Sequence, residues 1–178
     1  MTRIIVLAID PGTREFGFAV FKGKDLDDSG VKSLRRSGSQ HSRLAVLARV
    51  FTELIEKNKP RMLALEKNSF DHIGQNQNLM KAIGKMRSIA KRRGIPTFEF
   101  AANTIKKIVA GDACASKNTI AQVICARYPH LKANVGHRYS WQERYYLNMF
   151  DAIACGLTFL SLQESHQLQR YVLDVKAS

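Results

Sequence analysis

A chain of 178 residues with 45% hydrophobic content is long enough to bury a core and fits within one domain. Its 28 Lys and Arg against 15 Asp and Glu leave a formal charge of +13, which points to nucleic acid or another polyanion as partner; the bland alternative is a soluble basic protein. The widely spaced Cys114, Cys125 and Cys155 form no C-x-x-C pair, which argues against structural zinc, and reduced cysteines of this kind fit a cytoplasmic setting.

The chain opens on Ile4-Ile5-Val6-Leu7-Ala8-Ile9, a run that predicts a strand over 3–9 buried on both faces. Asp10 closes the run, so it does not read as a signal peptide. A turn at Pro11-Gly12 leads to a second strand over 17–21, and a polar turn over 25–30 to a third over 31–36. Leu44, Leu47, Val50, Phe51, Leu54 and Ile55 then recur at helical spacing. Pro60 separates that helix from a strand over 62–66. A second helix is predicted over 76–93, with Leu79, Ile83, Met86 and Ile89 on one face and Gly94 and Pro96 ending it. A short strand over 97–100 follows. Asn103 is expected to cap a helix through 109, and Ser116 another through 128. The stretch 141–162 reads as a long, mostly buried helix; its longest uncharged part, 152–163, is shorter than the roughly 20 residues that span a bilayer. The pattern predicts an α/β domain over 1–165 with a mixed sheet, followed by a polar tail over 166–178.

Three acids stand in apolar settings. Asp10 ends the first strand, Glu66 ends Met62-Leu63-Ala64-Leu65, and Asp151 interrupts the last helix. A buried carboxylate is costly unless paired, and clustered carboxylates repel without a counter-ion. Oxygen-rich sites of this kind suit magnesium or manganese, and two such ions could activate water for phosphodiester hydrolysis. Each acid also has an ordinary reading, as a turn residue, an exposed strand end or a backbone-bonded buried acid. If the first strand and the 62–66 strand are neighbours, Asp10 and Glu66 lie side by side.

Ala8-Ile9-Asp10-Pro11-Gly12-Thr13-Arg14 with Gly17-Phe18-Ala19-Val20 resembles the opening motif of RuvC-type Holliday-junction resolvases. Leu63-Ala64-Leu65-Glu66-Lys67 is similar to their second acidic motif. Thr104 through Gly111, then Lys117, is similar to the segment carrying a phosphate-contacting lysine. Asp151-Ala152-Ile153-Ala154 is similar to the last acidic motif. The resemblance implies a ribonuclease-H-like fold with helices on both faces of the sheet. It implies a homodimer that cuts four-way DNA junctions with magnesium, in the cytoplasm at the nucleoid. Asp10, Glu66 and Asp151 would be the metal ligands, and Lys117 would stabilise charge on the scissile phosphate.

Asn148 stands where the family usually carries a fourth acid or a histidine. It shares a helix face with Asp151, and its carbonyl can ligate a hard cation without adding charge. Manganese could then serve better than magnesium, and Asn148→Asp is expected to lower the magnesium needed. His137 and Glu143 lie upstream as possible compensation. Phe70 is the candidate for stacking at the junction centre, and packing into the core is its other reading. The acid-free run with Lys81, Lys85, Arg87, Lys91, Arg92 and Arg93 reads as a phosphate track or a solvated helix face. Arg14, Lys67, Phe70, Lys81, Lys85, Arg87, Lys107 and Lys117 are the expected contacts to DNA, and Ile83 and Met86 the expected dimer contacts. A YqgF-type nuclease acting on RNA, a catalytically weak junction-binding protein, and an ATPase of the actin and sugar-kinase superfamily remain as alternatives.

Overall fold

The opening apolar run forms β1 (Ile5–Asp10), the middle strand of a five-stranded sheet. The computed structural model describes residues 3–34, 40–67, 77–136 and 140–171, excluding the side chains of 40–41, 140–144 and 169–170. β2 (Glu15–Lys22) pairs antiparallel with β1, and β3 (Asp25–Ser33) pairs antiparallel with β2. α1 (Gln40–Asn58) carries the chain over to β4 (Met62–Lys67), parallel to β1 on its other side. α2 (Gln77–Arg92) leads to β5 (Thr97–Ala101), parallel to β4. The order β3-β2-β1-β4-β5 is the mixed sheet expected. α3 (Ala102–Ala110), α4 (Lys117–Arg127), a 3₁₀ turn (Pro129–Asn134), α5 (Ser140–Glu164) and a last 3₁₀ turn (Leu168–Tyr171) complete the order.

Strand alternation divides the core in two. Leu7, Val20 and Leu63 sit in one row across β2, β1 and β4, facing α1 and α2. The neighbouring row on the opposite face is Ala19, Ala8 and Ala64, in register. Small side chains there let α5 lie close against β1 and β2. At Gly156 a Cβ would fall 2.2 Å from the Phe21 ring and 3.1 Å from the Ala8 Cβ. At Gly17 it would fall 1.8 Å from the backbone oxygen of Asn148. These two contacts fix the height and the register of α5 over the sheet.

Several local expectations change. The polar residues 25–30 belong to β3 and form no turn, because this edge strand pairs only with β2 and is largely half-buried. The part of the predicted strand reaching Arg36 lies outside the described residues. α3 starts one residue before Asn103 with no side-chain cap, and Asn103 Oδ1 instead accepts from the Thr104 N–H at 2.9 Å. Ser116 does cap α4, accepting from the Thr119 N–H at 3.0 Å. The polar stretch after Gln163 is anchored where Tyr171 sets its ring 5.2 Å from that of Phe100. Residues Tyr145–Glu164 of α5 are long and apolar enough to cross a membrane, but 67% of that window is buried in the fold, so its apolarity serves the sheet. Ile83 and Met86 are 2% and 0% exposed within this chain, so they support its own fold and offer no contact to a partner. The outward residues of α2 include Lys81, Gly84, Lys85, Ser88, Lys91 and Arg92.

Candidate active site

β1 and β4 run parallel with Ile9 beside Leu65, so the next residues, Asp10 and Glu66, come side by side at the carboxyl ends. Alternation puts both on the face of the alanine row, under α5. Asp10 also pairs with Gly17, the point at which the α5 backbone touches the sheet. α5 there brings in Asp151, whose side chain is 12% exposed. Lys117, first residue of α4 and half-exposed, places its ammonium on Asp151 Oδ2. The structure therefore brings Asp10, Glu66, Asp151 and Lys117 into one electrostatic unit.

The acids perturb one another as such a cluster must. Burial pushes the Asp10 carboxyl well above its usual range, with Glu66 and Asp151 adding to the rise and Lys117 opposing it. Glu66 is raised from 4.5 to about 7, first by burial and then by Asp151, against the pull of Lys117 and Lys106. Asp151 is raised by burial, with Lys117 offsetting part of the effect. Burial alone would lower Lys117, but Asp151, Asp10 and Glu66 outweigh it and the net direction is up. Cys155, one turn beyond Asp151, is pushed well up by burial and by the same acids, so its thiol stays protonated.

Unfolded, Glu66 ionises near 4.5; folded and metal-free, it holds its proton to about 7. The stabilisation is complete below the lower value and is lost as pH rises through the upper one. Thermal melts in a chelator should show this decline, and Glu66→Gln should make it shallower, leaving the part due to Asp10 and Asp151. Parallel slopes for the two proteins would remove the assignment.

Among the described residues, no three His, Cys, Asp or Glu side chains close into a metal cage. Asp151 is turned onto Lys117. The donor set still fits a hard cation: three largely buried carboxylates are offset mainly by one half-exposed lysine. Magnesium typically takes only one or two carboxylates and completes its shell with water and phosphate oxygens, so an open set is the expected form.

The other candidates are dispersed. Arg14 lines a cavity of about 170 Å³ with Arg43 and Asn78, apart from the acids. Lys67 is exposed at the end of β4, and Lys107 is exposed on α3. Lys81 and Lys85 are exposed on α2. Arg87 grips buried Glu99 with a two-pronged ion pair that ties α2 to β5. Phe70 and His137 lie outside the described residues, as does the side chain of Glu143. Asn148 donates from Nδ2 to Glu15 Oε1 at 3.4 Å.

One residue near the acids and one beside Asn148 escape sequence reasoning. Lys106 lowers both Glu66 and Asp151, whereas its neighbour Lys107 points to solvent. Its signal is positional: α3 starts directly at the carboxyl end of β5, on the same edge as Glu66. Glu15 shares a strand face with Gly17 and Ala19, which alternation along β2 would have indicated.

Residues 6–136 match the family model of the crossover junction endodeoxyribonuclease RuvC. The chain belongs to that family. It is 30% identical over 132 residues to the RuvC of Roseiflexus sp. (strain RS-1), a match covering 70% of this chain and 77% of that one. The fold matches the RuvC structure from Thermus thermophilus with a TM-score of 0.74 at 21% identity, covering 96% of this chain and all of the other. It also matches Thermus thermophilus RuvC in complex with Holliday junction substrate, with a TM-score of 0.75 at 19% identity over 96% and 99% of the two chains. RuvC membership makes the chain a metal-dependent endonuclease of ribonuclease-H-like fold. The matched RuvC segment ends before α5 begins, so the place of Asp151 rests on the geometry above.

Proposed function

We propose that this protein is a structure-selective endonuclease that resolves four-way (Holliday) DNA junctions by paired phosphodiester hydrolysis in recombination and repair. The observation that carries this is the convergence of Asp10, Glu66 and Asp151, from three separate elements, around Lys117 in a RuvC family chain. Family membership favours this over an RNA-directed nuclease.

Asp10 and Glu66 from the sheet and Asp151 from α5 would hold magnesium, or manganese in its place, with Asn148 as a fourth ligand and two ions per site. Ions bound there would supply positive charge at the scissile phosphate and ease deprotonation of the attacking water. Lys117 is half-exposed beside the acids, so its ammonium can turn from Asp151 to a phosphate oxygen as negative charge develops. Lys106 adds positive charge on the same side. Arg14, Lys67, Lys81, Lys85 and Lys107 supply phosphate contacts that hold the arms without reading sequence.

Two matched cuts call for two sites related by a twofold axis, hence a homodimer. The setting is the bacterial cytoplasm at the nucleoid. Cleavage of a synthetic four-way junction beside linear duplex, with magnesium and then manganese, tests the reading. Junction cutting with little duplex cutting is expected, with junction affinity falling as salt rises. Equal affinity for both DNAs would sink it.

A further inference from the structure

Asn148 is neutral where the family usually carries an acid or a histidine, and the structure shows what stands beside it. Its Nδ2 donates to Glu15 Oε1 at 3.4 Å. Glu15 opens β2 two residues before Gly17, on the same strand face. The Asn148 backbone is itself seated on Gly17, so neither partner drifts freely. Both residues are half-buried.

An amide has a donating end and an accepting end. With Nδ2 committed to a carboxylate, Oδ1 is the end left for a cation. Asn148 lies three residues before Asp151 on one helix face, so that oxygen belongs to the side of the helix that carries the acid. We propose that Glu15 and Asn148 act as a unit: Glu15 is a positioning residue that sets the amide with Oδ1 toward the metal and supplies nearby the negative charge that Asn148 lacks. This rests on the reading of Asp10, Glu66 and Asp151 as metal ligands.

On this proposal Asn148→Asp alone does not lower the magnesium requirement, contrary to the expectation from the sequence. That change sets two carboxylates at the spacing now bridged by a hydrogen bond, and like charges so close oppose joint ionisation. An acid at position 148 helps only if Glu15 gives up its charge.

The test is a manganese titration of the metal-free protein, followed by the electron paramagnetic resonance signal of the free ion. Glu15→Gln keeps an acceptor and loses the charge; Glu15→Ala loses both. Partners that orient a metal ligand typically contribute about 10–100-fold in affinity. Glu15→Ala is expected to weaken manganese binding about tenfold or more, and Glu15→Gln by less. Asn148→Asp alone should not tighten binding, whereas Asn148→Asp combined with Glu15→Gln should bind more tightly than either single variant. Circular dichroism confirms that each variant is folded. Wild-type titration by Glu15→Ala, or tighter binding by Asn148→Asp alone, overturns the proposal. Asp10→Asn separates the levels: if it abolishes manganese binding while the Glu15 variants titrate as wild type, only the positioning role falls. If it too binds like wild type, the metal site itself is lost and this inference with it.

Discussion

Asp10→Asn is expected to lower junction cleavage by about a thousandfold or more, with junction binding largely retained. Asp10 is the acid most dependent on its surroundings. It ends the central strand, lies beside Glu66, and is raised by burial and by both other acids. An amide keeps the shape and removes the charge that would hold a cation. Binding should survive because the basic surface lies elsewhere, on α2 and α3. The change also relieves repulsion within the cluster, so the metal-free variant should melt no lower than wild type at neutral pH. A gel-based cleavage time course with a parallel shift assay measures both effects. Near wild-type cleavage by the variant would falsify the assignment.

Gly17→Ala should be among the most damaging single-atom changes outside the acids. Its Cβ would lie 1.8 Å from the carbonyl oxygen of Asn148 and 2.4 Å from the carbonyl carbon. Those are backbone atoms inside a helix, so no rotamer change relieves the clash. α5 must lift or β2 must bend. Overpacking of this kind costs about 3 kcal/mol, at the upper end of its usual range. A lifted α5 also carries Asp151 away from Asp10, so the folded fraction should cut slowly. Gly84→Ala is the matched control: its Cβ would meet open space, and on an exposed helix it should stabilise by up to about 1 kcal/mol. Denaturant melts of the two variants make the comparison. Equal stabilities would mean that α5 does not sit where the structure puts it.

The acids were legible because a carboxylate ending or interrupting an apolar run stands out against chance. The parallel pairing of β1 and β4 then supplied the adjacency that periodicity alone could only suppose. Helix and strand types were also readable, since burial imposes period 2 on the sheet and 3.6 on the helices. Choices between faces were not. Lys106 and Lys107 are indistinguishable until α3 is oriented against the sheet. Ile83 and Met86 mark an apolar helix face, but the pattern does not say whether that face meets its own core or a second chain. β3 was misread because an edge strand tolerates polar residues that look like a turn. The Glu15–Asn148 pair joins positions 133 residues apart, a link only the tertiary structure displays.

α5 both covers the alanine row and delivers Asp151. Before it docks, the sheet face at Ala8, Ala19 and Ala64 is bare, and Asp10 and Glu66 lack their third acid. Completing the core and completing the proposed cutting centre are therefore one event. A chain still emerging from the ribosome holds the first two acids but no working blade. A partly unfolded molecule that releases α5 disarms itself in the same motion. For an endonuclease with its acids assigned as proposed, that coupling would be a built-in safety catch: the protein could cut DNA only once α5 has docked.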